Sequence, residues 1–276
     1  MRKLIVLLSA AFALATPPVP PTVYKQTPAR ALNLYIMSPA AASARPRPAI
    51  VFFFGGGWVG GSTDQFLEQA QHFVDRGLVS ILVDYRVQSR DHSTPFDSVQ
   101  DARSALRWVR SHAAELRIDP AKIIASGGSA GGHVAGATAI LDNINDPNDN
   151  LSVSPVPNAL VLFNPVLDTT ETGYGAKLIG KDAIQLSLTH HIKPGLPPII
   201  IFHGTADHTV PFANVTEFAR RVKEAGGDCQ VVPFEGAQHG FFNSPRFRKT
   251  ASSDTYEKII ADVDRFLAGL GFERKP

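Results

Sequence analysis

The chain has 276 residues, 44% of them hydrophobic, with 27 Lys and Arg against 25 Asp and Glu. That length suits one large domain with a sizeable core, and the formal net charge of +2, with no basic block interleaved with aromatics, argues against nucleic acid as a partner. Cys229 is the only cysteine, which excludes an internal disulfide and a metal site built from cysteine pairs.

The start of the chain has the character of a targeting segment. Arg2 and Lys3 precede an apolar run, Leu4 to Leu14, too short to span a membrane, and Ala13-Leu14-Ala15 offers a small-x-small cleavage site. Residues 1–15 therefore read as a signal peptide, and the mature product is expected to be secreted or periplasmic, without a membrane partner. Residues 16–30 read as an extended leader, because Pro17, Pro18, Pro20 and Pro21 keep it out of a helix. Its later part, Val23–Gln26, matches Ala31–Met37 as an antiparallel edge pair. Residues 31–276 are expected to form a single domain.

Further along, short apolar runs alternate with helical patterns. The runs are Ala49–Phe54, Val79–Asp84, Ile123–Ser126, Ala159–Phe163, Pro198–His203 and Gln230–Phe234. The helical stretches are Phe66–Asp75, Ser98–His112, Ala130–Ile140, Ala213–Ala225 and Asp254–Leu270. In the second of these, Val99, Ala102, Leu106 and Val109 share one face. The alternation predicts an α/β fold: a mostly parallel central sheet with helices on both faces. Two segments read as loops. "DNINDPNDN" at 142–150 is rich in turn formers, and its acids lack calcium-loop spacing, so no metal is expected there. The segment 168–197 is the only insertion large enough to cover a site, so any lid is expected to be minimal.

One stretch carries chemistry. "SGGSAGG" sets Ser129 between Gly127 and Gly131 just after a predicted strand and at the head of a predicted helix. Gly-x-Ser-x-Gly in that context is the nucleophile elbow, which lifts a serine hydroxyl out of a strained turn; close helix–sheet packing is the plainer reading. If the elbow reading holds, an acid and then a histidine must follow in chain order. "FHGTADHTVP" places Asp207 after the fifth core run, at the carboxyl edge of the sheet. "GAQHGFF" places His239 after the sixth. His208 is the direct neighbour of Asp207 and cannot bridge acid and serine, which leaves His239 as base. Asp168 also follows a run and is the rival acid. No cofactor or metal is needed by such a set.

Gly55, Gly56 and Gly57 of "FFFGGGWVGG" also follow a strand, where their backbone N–H groups, with that of Ala130, can meet a reacting oxygen. A phosphate-cradling loop fails on spacing and on the missing Gly-Lys-Ser/Thr ending. Trp58 and Phe241 are assigned to substrate contact, with core packing the other reading of each. His133, one turn beyond Ser129, reads as a packed helix residue, and Tyr85-Arg86 as a buttress tied to Asp97 or Asp101.

On "FFFGGGW", "VDYR", "SGGSAGGH", "FHGTADHTVP" and "GAQHGFF" the chain resembles α/β-hydrolases of the esterase/lipase superfamily, near the bacterial hormone-sensitive-lipase-like and acetyl xylan or feruloyl esterase branches. The resemblance covers about residues 49–245. It implies a triad of Ser129, Asp207 and His239, with oxyanion donors at Gly56, Gly57 and Ala130. The family's usual His-Gly-Gly-Gly has Phe54 in its first place, which touches loop support rather than reaction. The expected activity is hydrolysis of short-chain esters through an acyl-enzyme, with acetylated carbohydrate first and feruloyl esters second as substrates, small-molecule or polysaccharide. A prolyl oligopeptidase-like peptidase would bring a large extra domain, and a non-catalytic binding protein would have no need of all three groups.

Overall fold

A computed structural model describes residues 17–41 and 43–272; the segment read as a signal peptide lies outside the described residues. Eight strands make one sheet: β1 (Pro21–Gln26), β2 (Ala31–Met37), β3 (Arg47–Phe53), β4 (Val79–Val83), β5 (Ile118–Gly128), β6 (Ala159–Phe163), β7 (Ile199–Gly204) and β8 (Cys229–Phe234). Their order is β1-β2-β4-β3-β5-β6-β7-β8; β2 runs antiparallel to β1 and β4, and every later pairing is parallel.

The helices are α1 (Leu67–Asp75), α2 (Gln88–Asp91), α3 (Pro95–Ser111), α4 (Ala130–Ile140), α5 (Ala176–Ile179), α6 (Ala183–Leu186), α7 (Phe212–Glu224) and α8 (Ser253–Gly269). Helices α3, α4 and α7 bury one face of the sheet, with Val99, Val134 and Phe218 in the same core as Val51 and Phe53. Helices α1 and α8 bury the other, where Phe73 and Val263 share a core with Ile50 and Phe52. Burial on both faces is why the central strands β3, β4, β6 and β7 read as unbroken apolar runs instead of alternating.

Two of the boundaries that move from expectation have a clear local cause. Helix α3 begins at Pro95, three residues ahead of the expected start at Ser98, because Thr94 and Asp97 cap each other. The Asp97 N–H donates to Thr94 Oγ1 at 3.4 Å and the Thr94 N–H to Asp97 Oδ2 at 2.8 Å. The leader expected over 16–30 is in part a strand of the domain. β1 pairs with β2 from Pro21↔Tyr35 to Gln26↔Ala31, and Lys25 Nζ reaches Asp101 Oδ1 and Asp146 Oδ2, each at 2.7 Å. That pair of carboxylates fixes the edge strand to α3 and to the 142–150 loop. The loop's other acid toward the core, Asp149, pairs with Arg107 at 2.7 Å.

Parallel strands β3, β5, β6, β7 and β8 end at one edge of the sheet. The loops that leave that edge carry Gly55–Gly57, Ser129, Asp168, Asp207 and His239.

Candidate active site

Ser129 sits between β5 and α4 with φ 56° and ψ −121°, a strained conformation for a residue with a side chain. The strain is imposed by crowding beneath it. A Cβ on Gly131 would lie 2.1 Å from the Phe53 carbonyl oxygen, so the turn can pass β3 only with hydrogen at that position. The Ser129 N–H donates to the Phe163 carbonyl at 2.9 Å, which ties the turn to β6 as well.

From this turn the hydroxyl meets the histidine loop. Ser129 Oγ lies 2.9 Å from His239 Nε2, and His239 Nδ1 lies 2.7 Å from Asp207 Oδ2. A carboxylate can only accept, so Nδ1 carries the proton and Nε2 is left bare to receive one from Ser129. Asp207 takes four donors in all. Oδ1 accepts the N–H groups of Thr209 and Val210, each at 2.9 Å, while Oδ2 faces His239 and, at 3.3 Å, His203 Nε2. Burial alone would raise the Asp207 carboxyl, but the contacts from His203 and His239 and the Val210 N–H outweigh it and hold it well below the usual carboxylate range.

His203 is a residue the sequence reading missed. It is fully buried on β7, four residues before Asp207, and its Nε2 also faces the Val210 carbonyl at 2.9 Å. A carbonyl partner requires Nε2–H, so one proton is shared between that carbonyl and the carboxylate.

Opposite the histidine stands the glycine loop. The Gly56 carbonyl accepts the N–H groups of Val59 and Gly60 at 3.0 and 3.1 Å, which closes the loop into a turn, and Gly56 and Gly57 line the cavity over Ser129. Ala130 opens α4, where the first N–H groups have no acceptor within the helix. Phe54, in the place of the usual histidine, stacks on Tyr85 with ring centroids 4.2 Å apart, and Tyr85 Oη donates to the Phe54 carbonyl at 2.5 Å. Arg86 pairs with Asp101 at 2.8 Å and Asp97 at 2.9 Å, so the expected buttress is present and stands behind the loop.

A chain of amides then links the two loops. The Gly55 N–H donates to Gln65 Oε1 at 2.6 Å, Gln65 Nε2 to Asn243 Oδ1 at 2.9 Å, and Asn243 Nδ2 to the Gly240 carbonyl at 2.8 Å. The Gly240 N–H ends the chain on Asn164 Oδ1 at 2.9 Å. None of Gln65, Asn164 and Asn243 stood out in the sequence, because each acts only through partners far along the chain.

The two aromatic assignments are corrected. Trp58 is 1% exposed, packs edge-on to His133 at 5.1 Å, and is absent from the cavity lining. Its backbone, at φ 61°, turns the ring into the core. The ring that lines the cavity on that side is Tyr174, which lies over Trp58 at 5.9 Å and faces Gly57. Phe241 packs on Phe234 at 4.8 Å; its neighbour Phe242 is the ring that lines the cavity, stacked on Phe163 at 5.1 Å. His133 is fully buried, with Nε2 2.8 Å from the Leu186 carbonyl, and burial pushes it down to about 4.

The space over Ser129 is a cavity of about 290 Å³. Beside it, across Gly57 and Tyr174, the segment 170–184 lines a larger one of about 960 Å³. Asp168, the rival acid, shapes this segment and stays out of the serine cavity. Its carboxylate accepts from Thr170, Thr172 and Ser187, and its carbonyl from the Tyr174 N–H at 2.9 Å.

Known proteins share this architecture. Esterase 2 of Thermogutta terrifontis, solved as its tabun adduct, is 46% identical, superposes with a TM-score of 0.89, and is matched over 95% of this chain and 98% of its own. Other structures of that esterase hold propionate and butyrate. Among curated sequences, a probable isoprenylcysteine alpha-carbonyl methylesterase of Arabidopsis thaliana is 28% identical over 92% of this chain, and endo-1,4-beta-xylanase B of Butyrivibrio fibrisolvens is 27% identical over 68%. The chain spans 58% of the first protein's length and 31% of the second's. With residues 34–222 matching the BD-FAE family, the chain belongs to that family, among the α/β-hydrolases of the hormone-sensitive-lipase-like esterase branch.

Proposed function

We propose that the protein is a serine carboxylic ester hydrolase that cleaves short-chain acyl esters, acetyl above all, from carbohydrate alcohols through an acyl-enzyme. The observation that carries this reading is the hydrogen-bonded line from Ser129 Oγ through His239 to Asp207, opening into a small cavity edged by the glycine loop.

His239 Nε2 takes the Ser129 proton as Oγ attacks the ester carbonyl carbon. The carbonyl oxygen, now negative, is met by N–H groups of Gly56, Gly57 and Ala130; a donor of this kind is worth about 10²–10³ in rate. Asp207, ionised across the working pH range, holds the imidazole tautomer and balances its charge. His239 then gives its proton to the leaving alcohol oxygen, and the C–O bond breaks to leave acyl-Ser129. Water repeats the attack with His239 as base, which frees the acid and restores the serine.

The leaving oxygen must lie near His239, so the acyl group points the other way, toward Gly57 and Tyr174. Tyr174 narrows that side, and the related esterase 2 holds propionate and butyrate; both favour a short acyl group. The likeness to a xylanase-borne segment supports carbohydrate as the alcohol. Residues 1–15, read as a signal peptide, support export to where such polymers lie. The 960 Å³ space beyond Tyr174 favours a second reading, an aromatic feruloyl group seated past the tyrosine.

The test is kcat/KM across p-nitrophenyl acetate, butyrate, octanoate and palmitate and methyl ferulate, beside acetate release from acetylated xylan. Ser129→Ala serves as the blank and should lie on the order of 10⁵–10⁶ lower in kcat. Acetate or butyrate should lead, with release from xylan. A maximum at octanoate or longer, without release from xylan, overturns the proposal.

A further inference from the structure

The cavity over Ser129 is lined by glycines, amides, hydroxyls and aromatic rings, and the one permanent charge in that lining is the Arg248 guanidinium. Arg248 stands on the loop that follows His239. Its Nη1 donates to the His239 carbonyl at 3.2 Å and rests against Gly240, where a Cβ would come within 2.7 Å of it. The guanidinium is thus directed back over the histidine turn.

Some surface arginines have counter-charges, as Arg76 has Asp264, Arg220 has Glu217 and Glu224, and Arg221 has Glu217; the exposed Arg117 and Arg246 have none among the described ion pairs, and neither lines the cavity over Ser129. Arg248 has no part in the ion pairs found among the described residues. What sets Arg248 apart is its place in the lining of a pocket that holds no carboxylate, where it can receive an anion, and that place says which half of the ester would bear it. The leaving oxygen takes its proton from His239 Nε2, so the alcohol departs over the His239 loop, on the Arg248 side. The acyl group lies across the cavity, against Gly57 and Tyr174.

We propose that Arg248 is a specificity-determining residue that selects esters whose alcohol half carries a carboxylate close to the ester oxygen. This rests on the preceding reading of His239 as the donor to the leaving alcohol. The contact is at an exposed rim, so it favours binding modestly and is screened by salt.

The acetyl esters of 4-hydroxybenzoate and 4-hydroxybenzamide share an acyl group and a similar phenol, and differ by one negative charge. Their kcat/KM ratio, anionic over neutral, is measured for the wild-type protein, Arg248→Gln and Arg248→Lys, at low and at molar salt. At low salt the wild-type ratio should exceed that of Arg248→Gln by about fivefold, mostly through KM, with Arg248→Lys in between. Molar salt should close the gap. Equal ratios in wild type and Arg248→Gln overturn the proposal. So does an equal slowing of both esters by Arg248→Gln, which would make the arginine a support for the His239 carbonyl instead. Because the acyl group is constant here, a wrong acyl assignment would show only in the acyl series run on one alcohol, and the two failures stay separate.

Discussion

Two loops leave neighbouring strands at the same edge of the sheet, and each carries an aspartate that takes four hydrogen bonds. After β6, Asp168 is surrounded by Thr170, which donates from both N–H and hydroxyl, and by the hydroxyls of Thr172 and Ser187. After β7, Asp207 is surrounded by two backbone N–H groups and two imidazoles. In both, burial pushes the carboxyl up and the donors pull it further down, so both lie below the ordinary range. A displaced carboxyl therefore does not mark the reacting acid here. What separates them is the partner: hydroxyls close Asp168 into its own loop, whereas an imidazole carries the influence of Asp207 to Ser129.

The sharpest way to break this contrast is to neutralise each carboxylate in turn. Asp207→Asn should lower kcat by on the order of 10⁴, because the wrong imidazole tautomer is favoured. Asp168→Asn should keep kcat within about tenfold and lose about 1–2 kcal/mol of stability, read as a lower Tm. Reversed results would make Asp168 the acid.

Acid should find the β6 side first. His133 holds the 168–188 segment through the Leu186 carbonyl, and it titrates near 4 when folded against about 6.5 when unfolded. The unfolded chain takes up this proton first, so stability present above pH 6.5 is lost as pH falls toward 4. The loss should be on the order of 3 kcal/mol, and His133→Phe should remove that part of the slope in urea titrations run at pH 7 and pH 4.5. Parallel slopes for the two proteins would remove His133 from the account.

The smallest effect is expected at His203. His203→Phe keeps the bulk but takes one donor from Asp207, and kcat should fall about tenfold with the near-ultraviolet spectrum unchanged. An unchanged kcat would mean that the other three donors hold the carboxylate unaided.

Much of this was legible because each member of the candidate triad sits in a short linear pattern directly after a strand. Ser129, Asp207 and His239 needed only chain order and the position of the sheet edge, and the strand runs were plain because both faces are covered. Trp58 and Phe241 misled for a local reason. Periodicity does not apply in a loop, and whether a ring faces in or out depends on one backbone angle, as at Trp58, or on one residue of offset, as between Phe241 and Phe242. His203 left a faint trace, a histidine four residues before the acid in "FHGTADH". Tyr174 left none, since its place comes from the hydrogen bond that Asp168 makes to its N–H.

The bond between Gln65 and Asn243 joins residues 178 positions apart. One end holds the glycine turn through Gly55 and the other the turn that carries His239 through Gly240, so neither loop can drift alone. A substitution that shifts the glycine turn is felt at the histidine turn, and compensation for it is to be sought near the far end of the chain.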